Sequence, residues 1–102
     1  MSWYFIVDTY IDENRGRGEY DTYIREVRPI VENYGGKYLV RTEQVQSLCQ
    51  NRKPQRLIII RFPDRKALDR CFASPEYAAI LSKRTGSVDS RAVIAPGLDE
   101  IQ

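Results

Sequence analysis

The stretch ENYGGKYLVRTE, residues 32–43, changes character at its two glycines. Upstream, apolar residues at Tyr20, Tyr23, Ile24, Val27, Ile30, Val31 and Tyr34 recur at the i, i+3, i+4, i+7 spacing of an amphipathic helix that opens near Glu19. Downstream, Lys37 to Gln46 reads as a strand. A phosphate loop carries its glycines before a helix N-terminus, where backbone N–H groups point at the anion. Gly35 and Gly36 follow a helix C-terminus instead, whose free carbonyls repel one. Gly35 is therefore the left-handed residue that stops the helix, and Gly36 eases the turn into the strand. Pro29 removes a hydrogen bond inside the helix and is expected to kink it near Arg25.

Working outward, WYFIVDTYID (Trp3 to Asp12) is β-branched and aromatic, a first strand followed by the polar loop DENRGRG. Past the second strand, SLCQNRKPQ is a polar connection, and Arg56 to Phe62 is a third strand. Asp64 is placed to cap a short helix carrying Ala67, Leu68, Cys71 and Phe72 on one face. Ser74 with Pro75 opens another, with Tyr77, Ile80, Leu81 and Arg84 following. Ser90 to Pro96 is the last strand. The order β-α-β-β-α-β, its second helix split at 73–75, predicts an α+β, ferredoxin-like fold with a four-stranded antiparallel sheet and helices on one face. Residues 1–96 form one domain on this reading, and 97–102 a polar C-terminal tail.

Strand alternation assigns Phe5, Val7, Tyr38, Val40, Ile58, Ile60, Phe62, Ala92 and Ile94 to the face under the helices. The opposite parity holds Tyr4, Ile6, Leu39, Leu57, Ile59 and Val93, together with Asp8, Arg41, Arg61 and Arg91. An apolar patch of that extent is unusual on a monomer. The second face is expected to be covered by the same face of another copy in a two-fold homodimer.

A chain of 102 residues suits one core. Its net charge of +2 does not imply a polyanionic partner. The aliphatic third strand RLIIIRF lacks the aromatic platform of an RNA-binding module of the same strand order, so no nucleic acid is expected. The apolar run Trp3 to Val7 is far short of a membrane span and no secretory pattern accompanies it, which predicts no membrane partner and a cytoplasmic protein. Cys49 and Cys71 have neither redox nor zinc spacing and fit a reducing compartment. There is no histidine, which excludes Ser-His, Cys-His and HExxH mechanisms. No cofactor or metal is expected: NRGRG lacks the third glycine of a dinucleotide fingerprint, and a calcium loop from Asp12 would put Tyr23 where Glu is needed.

The remaining chemistry lies in a few side chains. Asp8 shares a parity with Arg41, Arg61 and Arg91, and a buried carboxylate needs a cationic partner. Two readings stand open: an anion or polar-ligand site, with the arginines gripping a carboxylate or enolate oxygen, and a structural or interfacial ion-pair network. Tyr34 and Tyr38 flank the glycines and are candidate ligand contacts; the alternative for each tyrosine, Tyr23 included, is core packing with its hydroxyl at the rim.

The blocks YGGKYLVRTE (34–43), KPQRLIIIRFPD (53–64), CFASPEYAAI (71–80) and SRAVI (90–94), in this order and spacing, resemble a bacterial family known as domain of unknown function 1330. The resemblance implies a subunit of the dimeric α+β barrel superfamily, related to cofactor-free monooxygenases, isomerases and small-molecule binding proteins. Three departures stand out: Tyr34 and Arg52 replace a frequent His and Trp, and Arg41, Thr42 and Glu43 replace Arg-Gly-Gly. A mechanism needing the imidazole does not transfer. The expected function is binding of a small anionic or aromatic metabolite in a sheet/helix or inter-subunit pocket near Tyr34, Tyr38, Arg41, Arg61 and Arg91. The alternatives are a cofactor-free isomerase or monooxygenase, acting on an enolisable or aromatic substrate with Asp8 as its base, and a structural dimer without ligand.

Overall fold

A computed structural model describes residues 1–98. The chain runs β1 (Trp3–Tyr10), α1 (Tyr20–Asn33), β2 (Lys37–Thr42), β3 (Arg56–Phe62), α2 (Arg65–Phe72), α3 (Pro75–Thr85) and β4 (Asp89–Pro96). The strands form one antiparallel sheet in the order β2-β3-β1-β4, the ferredoxin-like arrangement. Of the expected tail, Gly97 donates its N–H to the Ser2 carbonyl at 2.8 Å. Residues 99–102 lie outside the described residues. No helix among those described is long and apolar enough to cross a membrane.

The glycine pair behaves as its position demands. Gly35 has φ +89°, and its N–H donates to the Glu32 carbonyl at 3.1 Å while the Gly36 N–H donates to that of Val31 at 2.9 Å. Together these bonds satisfy two carbonyls left free at the end of α1. Gly36 has a packing role as well, since a Cβ there would stand 2.5 Å from Val31 Cγ1 and 3.0 Å from Phe62 Cε1. Val31 and Phe62 are fully buried and cannot move aside. Gly36→Ala is expected to lose about 1–3 kcal/mol in a urea titration, as overpacked cores do, and a loss under about 0.5 kcal/mol would contradict the tight seat assigned to it. α1 continues through Pro29 as one helix.

Capping defines the split second helix. Asp64 Oδ1 accepts the Ala67 N–H at 2.7 Å and opens α2. Ser74 Oγ accepts the Tyr77 N–H at 3.1 Å and donates to the Cys71 carbonyl at 2.7 Å, so one hydroxyl ends α2 and begins α3. Between helices and sheet, Phe72 stacks on Phe5 at 4.4 Å and meets Phe62 and Tyr77 edge-on at 5.9 and 5.0 Å. Val31, Leu68, Cys71 and Ile80 complete this core.

The register corrects the alternation in β2. Tyr38 pairs with Ile60 but Val40 pairs with Ile59, so Leu39 is the extra residue of a β-bulge. Side chains after a bulge exchange faces. Arg41, opposite Ile58, therefore lies under α1 and not beside Asp8; Val40 lies on the open face and not under the helices. On that open face Val40, Ile59, Ile6 and Val93 form an apolar row across all four strands. Val93 is 63% exposed, and Leu39 at the bulge 48%.

Candidate functional site

On the open face Asp8 sits opposite Leu57 and Arg91. Its partner comes from the β2–β3 connection: Arg52 donates Nε to Oδ2 at 2.7 Å and a terminal nitrogen to Oδ1 at 3.0 Å. That fork holds the Asp8 carboxyl below its usual range, against the opposing effect of burial, with the charges of Arg52 and Arg91 adding to it. Arg91 itself pairs with Asp89 at 2.9 Å and lies over the Tyr10 ring at 4.7 Å. Arg61 stands opposite Tyr4, further along β1, and donates to Ser2 Oγ at 2.8 Å. The proposed four-residue cluster is therefore dispersed: Asp8 and Arg91 are neighbours, Arg61 is remote along the strand, and Arg41 is on the other face.

Tyr34 and Tyr38 do not converge either. The Tyr34 hydroxyl, at the C-cap of α1, donates to Glu76 Oε2 at 2.6 Å, and this bond raises its pKa. Tyr38 faces α1, with the guanidinium carbons of Arg41 and Arg28 at 5.0 and 5.9 Å from its ring centre. Burial pushes its phenol up to about 12, Arg41 acting in the opposite direction.

A different set of residues does converge. Between the sheet and α1 and α3 is a small, partly closed cavity of about 60 Å³. Its apolar wall is Phe5, Val7, Ile58 and Ala92; its polar wall is Thr9, Tyr20, Tyr23, Tyr77, Arg84 and Ser90. Tyr23 and Tyr77 join hydroxyls at 2.9 Å, and Thr9 Oγ1 lies 3.4 Å from both the Tyr20 hydroxyl and Ser90 Oγ. Arg84 stands against both phenols, yet its buried Nε has no hydrogen-bond partner among the described residues. Burial, then Tyr77, pushes the Tyr23 phenol far above its ordinary value, and Arg84 opposes them. The Tyr23 phenol stays neutral at physiological pH, and Arg84 stays a cation.

A larger hollow lies at the sheet end. Thr85 and Asp89, chain neighbours of Arg84 and Ser90, line an open depression of about 450 Å³ at the α3–β4 turn together with Tyr10, Ile11 and Arg15. That volume is typical of small-ligand sites. Sequence reasoning missed Thr9, Tyr20, Tyr77, Arg84 and Ser90 as a set. The signal for it was Arg84, a charge on the apolar stripe of a helix. The described residues include no group of three or more His, Cys, Asp or Glu side chains able to hold a metal ion.

These features define an α+β protein of ferredoxin-like fold with a hydroxyl-lined cavity under its helices. The chain belongs to the family described as Domain of unknown function (DUF1330), whose model matches residues 2–98. The comparison with curated proteins found no match. Among solved structures it is similar to a protein of unknown function from Rhodopseudomonas palustris, at 20% identity and TM-score 0.78, over 94% of this chain and 82% of that one. It is also similar to the cofactor-independent oxygenase SnoaB of Streptomyces nogalater, at 12% identity and TM-score 0.66, over 94% and 92% of the two chains. A dimeric ferredoxin-like protein of unknown function from Jannaschia sp. CCS1 matches at 16% identity and TM-score 0.63, over 95% of this chain and all of that one.

Proposed function

We propose that the protein is a homodimer that binds a small anionic or aromatic metabolite between its sheet and helices. The observation that carries this reading is the polar wall of the cavity, where a cationic side chain with a buried, unpartnered Nε meets two phenols above an apolar floor. Buried donors left without partners are costly, so a ligand oxygen is the natural complement of Arg84. About 60 Å³ holds only a few water molecules, and a metabolite therefore has to widen the cavity as it binds. The dimer reading rests on the apolar row Val40–Ile59–Ile6–Val93, and the Jannaschia protein, a dimer by description, supports it. Exposed Cys49 and buried Cys71, both free thiols, fit a reducing compartment such as the cytoplasm.

Catalysis without a cofactor is the second reading, favoured by the similarity to SnoaB and by hydroxyls able to hold an enolate oxygen. Binding is preferred because no carboxylate lines the cavity and Asp8, the one base considered, is on the opposite face in the grip of Arg52. A thermal-shift screen of small carboxylates and phenols tests the proposal. A ligand at 100 times its Kd should stabilise the protein by about 2.7 kcal/mol. Arg84→Met should weaken that ligand at least about tenfold, the loss expected for a charge-assisted bond. A hit whose affinity is indifferent to Arg84→Met and Tyr23→Phe would sink the site assignment, and light scattering from a monomer at micromolar concentration would sink the dimer.

A further inference from the structure

On the β2 side of Tyr20, outside the cavity, two guanidinium groups share one carboxylate, and a third stands near enough to repel one of them. Arg17, from the β1–α1 loop, grips Glu43 through two parallel bonds of 2.8 and 2.9 Å. Arg56, only 7% exposed, reaches Glu43 at 3.4 Å, and its buried Nε has no partner among the described residues. Arg41, brought to this face by the bulge, donates to the Ile24 carbonyl and stands within salt-bridge distance of no carboxylate among the described residues. Burial first, then the neighbouring charges of Arg56 and Arg28, lowers the proton affinity of Arg41, while Tyr38 opposes them. Asp21 engages Arg17 from the helix surface. Positive charge thus exceeds its compensation where it is least solvated.

We propose that Arg17 and Arg56, with the nearby charge of Arg41, form a binding site for the carboxylate group of a small organic acid, in which Glu43 is the resident occupant. The planar fork already made to Glu43 is the geometry that an incoming carboxylate would take over. Space exists for it: an open depression of about 450 Å³ is lined by Arg17 and Glu43 with Ile11, Glu13, Gly16 and Gln55, so that Arg17 is the cation it presents and Glu13 sets a negative charge at its edge. The Glu43 side chain is 42% exposed and can swing outward. Arg17 is the anchor, because it lines the depression and already makes the fork, while Arg56, which reaches Glu43 at 3.4 Å, adds a second cation behind it. The site stands apart from the cavity under the helices and is independent of the ligand read there.

The test uses acetate as probe, with sodium chloride at equal ionic strength as control, and follows thermal unfolding of the full chain. Glu43→Ala removes the internal competitor from an exposed position, so the fold should survive. Acetate should then raise the melting temperature saturably, with a Kd at least about tenfold tighter than for the unsubstituted protein, the worth of the displaced charge-assisted bond. Arg17→Gln added to Glu43→Ala should abolish that gain, whereas Arg84→Met should leave it intact. Stabilisation that follows ionic strength alone, or that is equal with and without Glu43, would overturn the proposal and leave the arginines as a structural ion-pair network. If Glu43→Ala proves unstable, Glu43→Gln serves the same comparison, with the same two outcomes deciding it.

Discussion

Phe62→Ala is expected to cost about 3–5 kcal/mol, the range for an aromatic deleted from a packed core. Phe62 has no exposed surface, meets Phe72 edge-on at 5.9 Å and packs where Gly36 leaves room for it, so the cavity left behind has no neighbour free to fill it. Against the roughly 5–15 kcal/mol that holds a domain of this kind together, such a loss removes a large share of the margin. Urea denaturation at 25 °C measures it. A midpoint shift equivalent to less than about 1.5 kcal/mol would mean that Phe62 is not at the centre of the core.

The second large effect is alkaline. A tyrosine in an unfolded chain titrates at about 10, whereas burial raises Tyr38 in the folded protein to about 12. Between those values the folded protein keeps a proton that the unfolded chain has released. The contribution of this neutral phenol to stability is therefore complete below pH 10 and is lost as the pH climbs to about 12. One pKa unit corresponds to about 1.4 kcal/mol, so Tyr38 accounts for a fall of about 3 kcal/mol. Tyr23, raised by burial and by Tyr77, steepens the fall in the same direction. Unfolding free energies measured from pH 9 to 12 should decline along this course, and Tyr38→Phe should make the decline shallower. A flat profile, or one that Tyr38→Phe leaves unaltered, would contradict the burial assigned to Tyr38.

The local grammar of the sequence carried the fold a long way. The helix stripe ending in Gly35 and Gly36, the caps at Asp64 and Ser74, and Pro75 at the start of α3 each have one physical meaning, and the structure uses each in that sense. The bulge is different. KYLVRT contains no glycine or proline to mark Leu39 as an extra residue, and its alternation reads straight through, which sends Val40 and Arg41 to the wrong faces. Only pairing with β3 reveals the slip.

The site was less legible because its parts meet through tertiary packing. Arg52 reads as a solvated loop residue, and nothing local announces that the β2–β3 connection folds back to deliver it to Asp8. Tyr20, Tyr23 and Tyr77 are indistinguishable in sequence from ordinary members of apolar helix faces. Their hydroxyls acquire meaning only when α1 and α3 bring Tyr23 and Tyr77 to 2.9 Å with Arg84 beside them. Tyr34 and Tyr38, singled out by their place around the glycines, are instead occupied with Glu76 and with the guanidinium groups of Arg28 and Arg41.

The seven tyrosines offer a direct report on where a ligand goes. With ring-labelled tyrosine in the protein, a carbon–proton correlation spectrum can be followed as the strongest hit of the thermal-shift screen is added. Binding between sheet and helices predicts saturable shifts of the Tyr20, Tyr23 and Tyr77 resonances, lost in Arg84→Met. Shifts confined to Tyr4, Tyr10 and Tyr34, with those three buried rings unmoved, would contradict it.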